Sequence, residues 1–351
     1  MTSKFDISTD PVAALEVDEL TVEAGGSSGS SSLGLVRMVL VRLAAGVAVM
    51  AAVLVVVFLA TQALPSDPAE AMLGRDATPD RVAALRVELG LDEPAWQQFR
   101  DWTWNLVRGN PGDSISSGRP VLEELAPRLR NSLVLLLCAA GIAIPLSFLL
   151  GIVTAARQRG HLDRALLTLA LGLSAVPEFV IGVGLLLLLS TGPVQVLPAV
   201  SMIPADSTPL AHLDKLLLPV LTLTIATVPY LYRMMRASMI EALASDYVQT
   251  ARLKGLPPGL VLRRHALRNA LVPSIQASAL VMSYLLSGAV VTEFLFRYPG
   301  LGTALSDAVS NRDLPMIQTI TVIFAAGVVL MNLIADVLTV TLTPRLRGAG
   351  R

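Results

Sequence analysis

The sequence predicts an all-α polytopic membrane protein with six transmembrane helices, and three observations carry that prediction. Hydrophobic residues make up 53% of the 351-residue chain and charged residues only 15%, with a mean hydropathy of +0.64. Soluble domains average about 25% charged residues, so the bilayer is the expected solvent for this much apolar surface. Six apolar stretches approach the roughly 20 residues a helix needs to cross the hydrocarbon core. Lysine and arginine gather in alternate connecting segments, as in a chain that threads a membrane repeatedly. The formal net charge is zero, which gives no indication of a nucleic-acid partner.

Residues 1–36 hold few large apolar side chains and include the run GGSSGSSS at 25–32, so they are expected to form a disordered cytoplasmic tail before a membrane domain over 37–351. The first span, 39–63, exceeds the 7–15 apolar residues of a secretory signal and reads as a retained helix. Spans two to six are expected at 133–155, 165–190, 216–232, 271–292 and 316–340. The fourth is the weakest, being short and interrupted by Pro219 and Pro229; Thr222, Thr224 and Thr227 are at hand to re-satisfy the freed carbonyls. Cys138, the only cysteine, lies inside the second span and reads as a small packed hydrophobe; one cysteine excludes an intrachain disulfide and a cysteine metal cluster.

Orientation follows from the short loops. With a cytoplasmic N-terminus, the inside segments hold Lys4, Arg37, Arg42, Arg157, Arg159, Arg164, seven cations in the 233–270 loop, and Arg345, Arg347 and Arg351. The short outside loops hold Lys215, Arg297 and Arg312; the 64–132 loop carries eight arginines but exceeds the roughly 60 residues over which loop charge counts. Both termini are therefore expected to be cytoplasmic, and the long 64–132 loop external.

That external loop carries its own helix signals. Thr78-Pro79-Asp80 supplies an N-cap and a first-turn proline before a pattern that ends at Gly90. A second helix is expected from Pro94, with Trp96, Phe99, Thr103 and Leu106 on one face. All three tryptophans, Trp96, Trp102 and Trp104, lie here, which suits either a helix resting on the headgroups or one packed on the outer ends of the spans.

Between spans four and five, residues 233–270 are polar and basic. Residues 237–254 are good helix formers without proline, and Gly255-Leu256-Pro257-Pro258 supplies a stop and a turn before a short second helix to Asn269. A helical hairpin on the cytoplasmic face is expected, with Arg263, Arg264, His265 and Arg268 in its second half. Positive charge here equally suits the positive-inside rule or contact with anionic lipid.

The chemistry-bearing residues are sparse. No G-x-x-x-x-G-K-[ST] phosphate loop occurs, so any ATP hydrolysis must come from a partner. His161, His212 and His265 lie in different loops, there is no H-E-x-x-H, and no metal site is expected. Acidic residues in spans are costly and face a cavity or a partner. Glu178, after Pro177 in the third span, and Glu293, at the outer end of the fifth, are candidates for the lining of a translocation path; structural hydrogen bonding is the competing role of Glu178. Asp336 in the last span is expected to pair with a neighbouring helix or subunit. A membrane enzyme would need a reactive constellation that these scattered carboxylates do not form. A secondary transporter working without an ATPase would show internal repeats with matching broken helices, and no convincing repeat is present.

The run DYVQTARLKGL followed by RHALRNALVPSI resembles the signature loop of permease subunits of bacterial ABC importers, in the dipeptide, oligopeptide and nickel branch. LPSDPAEAMLG (64–74), LRVELGLDEP (85–94), VVTEFLFRYPGLGTAL (290–305) and NLIADVLTVTLTPRLR (332–347) look like the same branch, so the resemblance runs from about Arg37 to Arg347. It departs from the general importer loop where Gln249-Thr250-Ala251 replaces a Glu-Ala-Ala triplet and where Arg268 stands for a proline; Glu241-Ala242-Leu243 imitates the triplet at the wrong distance.

The resemblance implies the type I ABC importer permease fold in a bacterial inner membrane, with no catalytic residue and no cofactor in this chain. It implies a second homologous permease, two cytoplasmic ATPase subunits that bind ATP and Mg, and an extracytoplasmic solute-binding protein docking near the long loop and 297–315. ATPase coupling would fall on Asp246, Gln249, Thr250, Ala251, Arg252, Lys254, Gly255, Leu256 and His265, with Ala251 and Gly255 permitting close approach. Dipeptides or oligopeptides are the leading cargo, and nickel complexes, haem or other small solutes the alternatives.

Overall fold

The computed structural model describes residues 30–63, 68–73, 77–88, 90–192, 195–204 and 207–342. Residues 1–29 of the expected tail, the basic C-terminus at 343–351 and parts of the 64–74 motif lie outside the described residues. Ser30 already begins a helix, inside the segment expected as tail.

The elements in chain order are α1 (Ser30–Gln62), α2 (Pro68–Leu73), α3 (Pro79–Glu88), α4 (Ala95–Val107), α5 (Val121–Ala156), α6 (His161–Ser174), α7 (Glu178–Leu186, extended by a π turn, Leu187–Thr191), α8 (Leu213–Ala244), α9 (Asp246–Leu253), α10 (Pro258–Leu260), α11 (Leu267–Phe296), α12 (Leu301–Ser310) and α13 (Leu314–Leu342). No strand occurs among the described residues; Asp113 and Pro120 form an isolated bridge.

Among the described residues, five helices are long and apolar enough to cross a membrane: α1, α5, α8, the continuous run from α10 through a π turn into α11, and α13. The third expected span is not one straight helix. Proline disfavours helical geometry in the residue before it and lacks an N–H for the ladder, and at Pro177, which is extended at ψ 144°, the apolar stretch bends by 103° between α6 and α7.

The span with the weakest sequence signal, α8, is the central one. It packs against α5, α6, α7 and α11, and its apolar window is 56% buried, more than that of any other of the five long apolar helices. A helix in that position can carry prolines because its neighbours supply the missing bonds. Pro219 removes the N–H that would reach the Lys215 carbonyl, and Ser201 Oγ, from the preceding loop, donates to that oxygen at 2.6 Å. The expected donors do something else: Thr222 Oγ1 bonds the Leu218 carbonyl, and the buried Thr224 hydroxyl has no partner.

The main core joins α5, α8 and α11 through Leu135, Leu223, Leu231 and Val281, with Tyr298 beneath. In contrast, α1 is peripheral and largely exposed along its apolar length, as a lipid-facing helix is. It is tied to α13 by Arg42–Asp336 at 3.1 Å and by Gln318 Nε2 donating to Thr61 Oγ1 at 2.9 Å, so Asp336 finds its partner on a neighbouring helix. The helices α3 and α4 form where the capping signals place them, and Gly90 closes α3 at φ +65°. Phe99 and Trp102 of α4 pack on Phe58 of α1 with ring centroids 5.3 and 6.1 Å away. Trp96 was expected on that face but is exposed, as is Trp104; Arg100 and Arg108 stack over these two rings.

Candidate coupling hairpin and acidic sites

The helix expected over 237–254 is two helices. Ser245 adopts extended geometry (φ −70°, ψ 151°), ending α8 and N-capping α9. One face of α9, Val248 and Ala251, then folds onto Met235, Met239, Val261 and Ala266 as a small core at this end of the bundle. The turn that follows is built from backbone bonds. Gly255 N–H donates to the Arg252 carbonyl at 2.9 Å and Leu256 N–H to the Ala251 carbonyl at 3.4 Å, the paired bonds of a Schellman stop, with Leu256 and Ala251 in the same apolar cluster. Gly255 sits at φ +77°, where a side chain is strained, while a Cβ there would meet nothing within 4 Å. Pro258 then opens α10 from its first position. The second half of the hairpin, expected as a separate short helix, runs on into α11 as one rod.

This geometry sorts the expected coupling residues. Asp246, Gln249, Thr250, Arg252, Lys254 and Gly255 are exposed, Leu256 and His265 are half-buried, and Ala251 is buried against its own hairpin. Ala251 therefore serves packing within this chain rather than close approach by another, because helical periodicity turns it to the same face as Val248. The sequence reading missed Leu253, which is 89% exposed between Arg252 and Lys254, and Tyr247, also exposed. The available signal was an apolar residue in the last turn of α9, off its buried stripe.

The two acids are separate sites. At the break, Glu178 is half-buried in the first turn of α7 and accepts a hydrogen bond from Thr292 of α11. The absent side chain of Gly288 makes the room: a Cβ there would collide with the Glu178 carboxylate. Glu293, on the next position of α11, points elsewhere. It was expected at an outer mouth, but it is 1% exposed. Its carboxylate accepts from Ser132 Oγ and from Gly302 N–H, both at 2.6 Å, and Ser132 Oγ in turn accepts from Leu301 N–H. Glu293 thus holds the N-terminus of α12, where an anion is favoured by the free N–H groups and the helix dipole.

Around it, Tyr298 donates to the Asn131 carbonyl at 2.8 Å; burial pushes the Tyr298 phenol well up, which keeps it a donor. The glycines of the Tyr-Pro-Gly-Leu-Gly run are required by proximity, since a Cβ on Gly300 would collide with the Glu293 carboxylate and one on Gly302 would lie 2.6 Å from Val290 Cα. Asp313, 1% exposed, was also missed: it accepts from Ser116 N–H and Ser116 Oγ of the long loop and from Met316 N–H at the start of α13. Among the described residues no three His, Cys, Asp or Glu gather as metal ligands.

Comparison with known proteins adds the following. Residues 147–348 match the family model described as the binding-protein-dependent transport system inner membrane component, and residues 35–123 match the model for the N-terminal part of such membrane components. The chain is 37% identical over 310 residues to a probable peptide ABC transporter permease protein of Sinorhizobium fredii, covering 88% of this chain and 98% of that one. It is 37% identical to a glutathione transport system permease protein of Pectobacterium atrosepticum (84% and 94% covered). It is 35% identical to a dipeptide transport system permease protein of Escherichia coli (81% and 91% covered).

Proposed function

The chain belongs to the family of binding-protein-dependent transport system inner membrane components, and from that premise we propose that it is the permease subunit of an ATP-driven importer of dipeptides and oligopeptides. It pairs with a second, homologous permease around a central path, receives cargo from a solute-binding protein on the outer side, and is driven by two cytoplasmic ATPase subunits that bind ATP and Mg. Both termini and the hairpin face the cytoplasm. The peptide cargo is supported by the names of relatives that match almost end to end.

One observation carries the coupling role. The Schellman-closed hairpin presents Tyr247, Arg252, Leu253 and Lys254 away from its own packing. A largely exposed leucine flanked by cations is a small apolar knob with a polar rim, which suits burial in a groove on another protein. Nucleotide-driven closure of the ATPases would then move the hairpin and rock the spans between two states. Glu178 is assigned to the path, because a half-buried carboxylate at a span break is the kind of group that meets a substrate ammonium.

The test is uptake of labelled di- and oligopeptides by cells lacking this gene, complemented with wild type, with a bulky replacement of Gly255, or with Leu253→Asp. Wild type restores uptake; Leu253→Asp inserts normally, fails to retain the ATPases on purification and gives no uptake. Rescue by both variants would remove the hairpin from coupling, and a deletion without a peptide defect would move the cargo to nickel complexes or haem.

A further inference from the structure

One partly buried ion pair is absorbed by neither the hairpin nor the path. Arg236 of α8 donates from Nε to Asp163 Oδ1 at 2.6 Å and from Nη2 to Asp163 Oδ2 at 2.8 Å. The Arg159 N–H adds a third bond to Asp163, at 3.1 Å, closing the α5–α6 turn at a residue with φ +63°. Asp163 is 3% exposed. A fork-to-fork pair of this kind fixes orientation as well as distance, while its desolvation offsets much of its contribution to stability.

Its placement is what matters. Along α6 only Asp163 and Ala170 are buried, so the helix is held to the bundle at few points. On α8, Arg236 follows Met235, and Met235 packs in the cluster that seats Val248 and Ala251 of the hairpin. Neighbouring positions on one helix therefore face the hairpin and the first turn of α6. Here α8 lies close against α5, since a Cβ on Gly151 would lie 2.8 Å from Met235 Cβ and 3.0 Å from the Arg236 nitrogen. At its other end α6 leads into the Pro177 break and Glu178.

We infer that Asp163 and Arg236 are a positioning pair that transmits displacement of the hairpin, through α8, to the broken span α6–α7. The inference rests on the coupling role proposed above. Movement of the hairpin carries the end of α8, α8 carries Arg236, and the fork carries α6 with it, so that the bend at Pro177 moves relative to α11.

The experiment uses the whole transporter, purified with its partner permease and ATPases into lipid nanodiscs. Spin labels at Leu171 of α6 and Tyr284 of α11, both exposed, report the distance between these helices before and after trapping with ATP and vanadate. In wild type the distance distribution shifts on trapping. In Asp163→Asn and in Arg236→Gln alike, the ATPases co-purify at the wild-type ratio and hydrolysis stays within about two-fold, while the shift is lost. A preserved shift in either variant overturns the inference, as does hydrolysis or assembly that fails in step with the shift, which would mark the pair as structural only. If the wild-type chain retains no ATPase, the functional reading itself fails and the coupling pair with it; that result is separate from any behaviour of the variants.

Discussion

At the scale of single residues, the deciding quantity is what remains unpaired when a side chain is removed. Glu293 satisfies the Ser132 hydroxyl and the Gly302 N–H in a site closed to water. Leaving buried donors unmet costs about 1–3 kcal/mol each. Glu293→Ala is therefore expected to lower the thermal unfolding midpoint of the detergent-solubilised protein well below that of Glu293→Gln, which keeps an acceptor. Equal midpoints for the two variants would show that the carboxylate node does not hold α12. Its presence was legible as an acid at the outer end of the fifth span, but its role was not, because Ser132 is distant in sequence and becomes a neighbour only through packing.

At the scale of elements, α8 makes the same point with backbone groups. Its prolines weakened its signal as a span, and the residues expected to compensate were threonines of the same helix. The compensation at Pro219 comes instead from Ser201, outside the helix, because the freed Lys215 carbonyl points at the loop that covers it. Ser201→Ala is expected to destabilise by about 1 kcal/mol, and by less in a Pro219→Ala background, where a restored N–H bonds the carbonyl. A thermal-unfolding double-mutant cycle measures this; additivity of the two substitutions would refute the pairing. The hairpin was legible from its formers and its Gly-Leu-Pro-Pro stop. The break at Ser245 was not, because no proline or glycine marks it and the extended residue is fixed by packing of Val248 and Ala251 on α8.

At the scale of the whole molecule, the long loop and the hairpin sit at opposite ends of the spans, and the distribution of Lys and Arg is the ground for the proposed cytoplasmic placement of the hairpin. In a Cys138→Ser background, a cysteine at Trp104 is expected to react with a membrane-impermeant maleimide in osmotically shocked cells. A cysteine at Leu253 is expected to react only after permeabilisation. Both side chains are exposed on this chain, so in cells that lack the partner ATPases access and not burial decides the result. The reverse pattern would invert the orientation and place the hairpin beyond the reach of any cytoplasmic ATPase.

The amino-acid order by itself determined the solvent of this protein, the start and stop of α3 and the Gly255 stop of α9, and the family to which the loops and the Tyr-Pro-Gly-Leu-Gly run point, because apolar period, caps and turn residues act over a few positions. The tertiary structure alone decided that the bend at Pro177 reaches 103°, that Ala251 faces inward while Leu253 faces outward, and that Glu293, Asp313 and Asp163 are each held by groups from other elements. The physical reason is that burying a charge or a freed carbonyl demands a partner, and which partner is near depends on how whole helices pack.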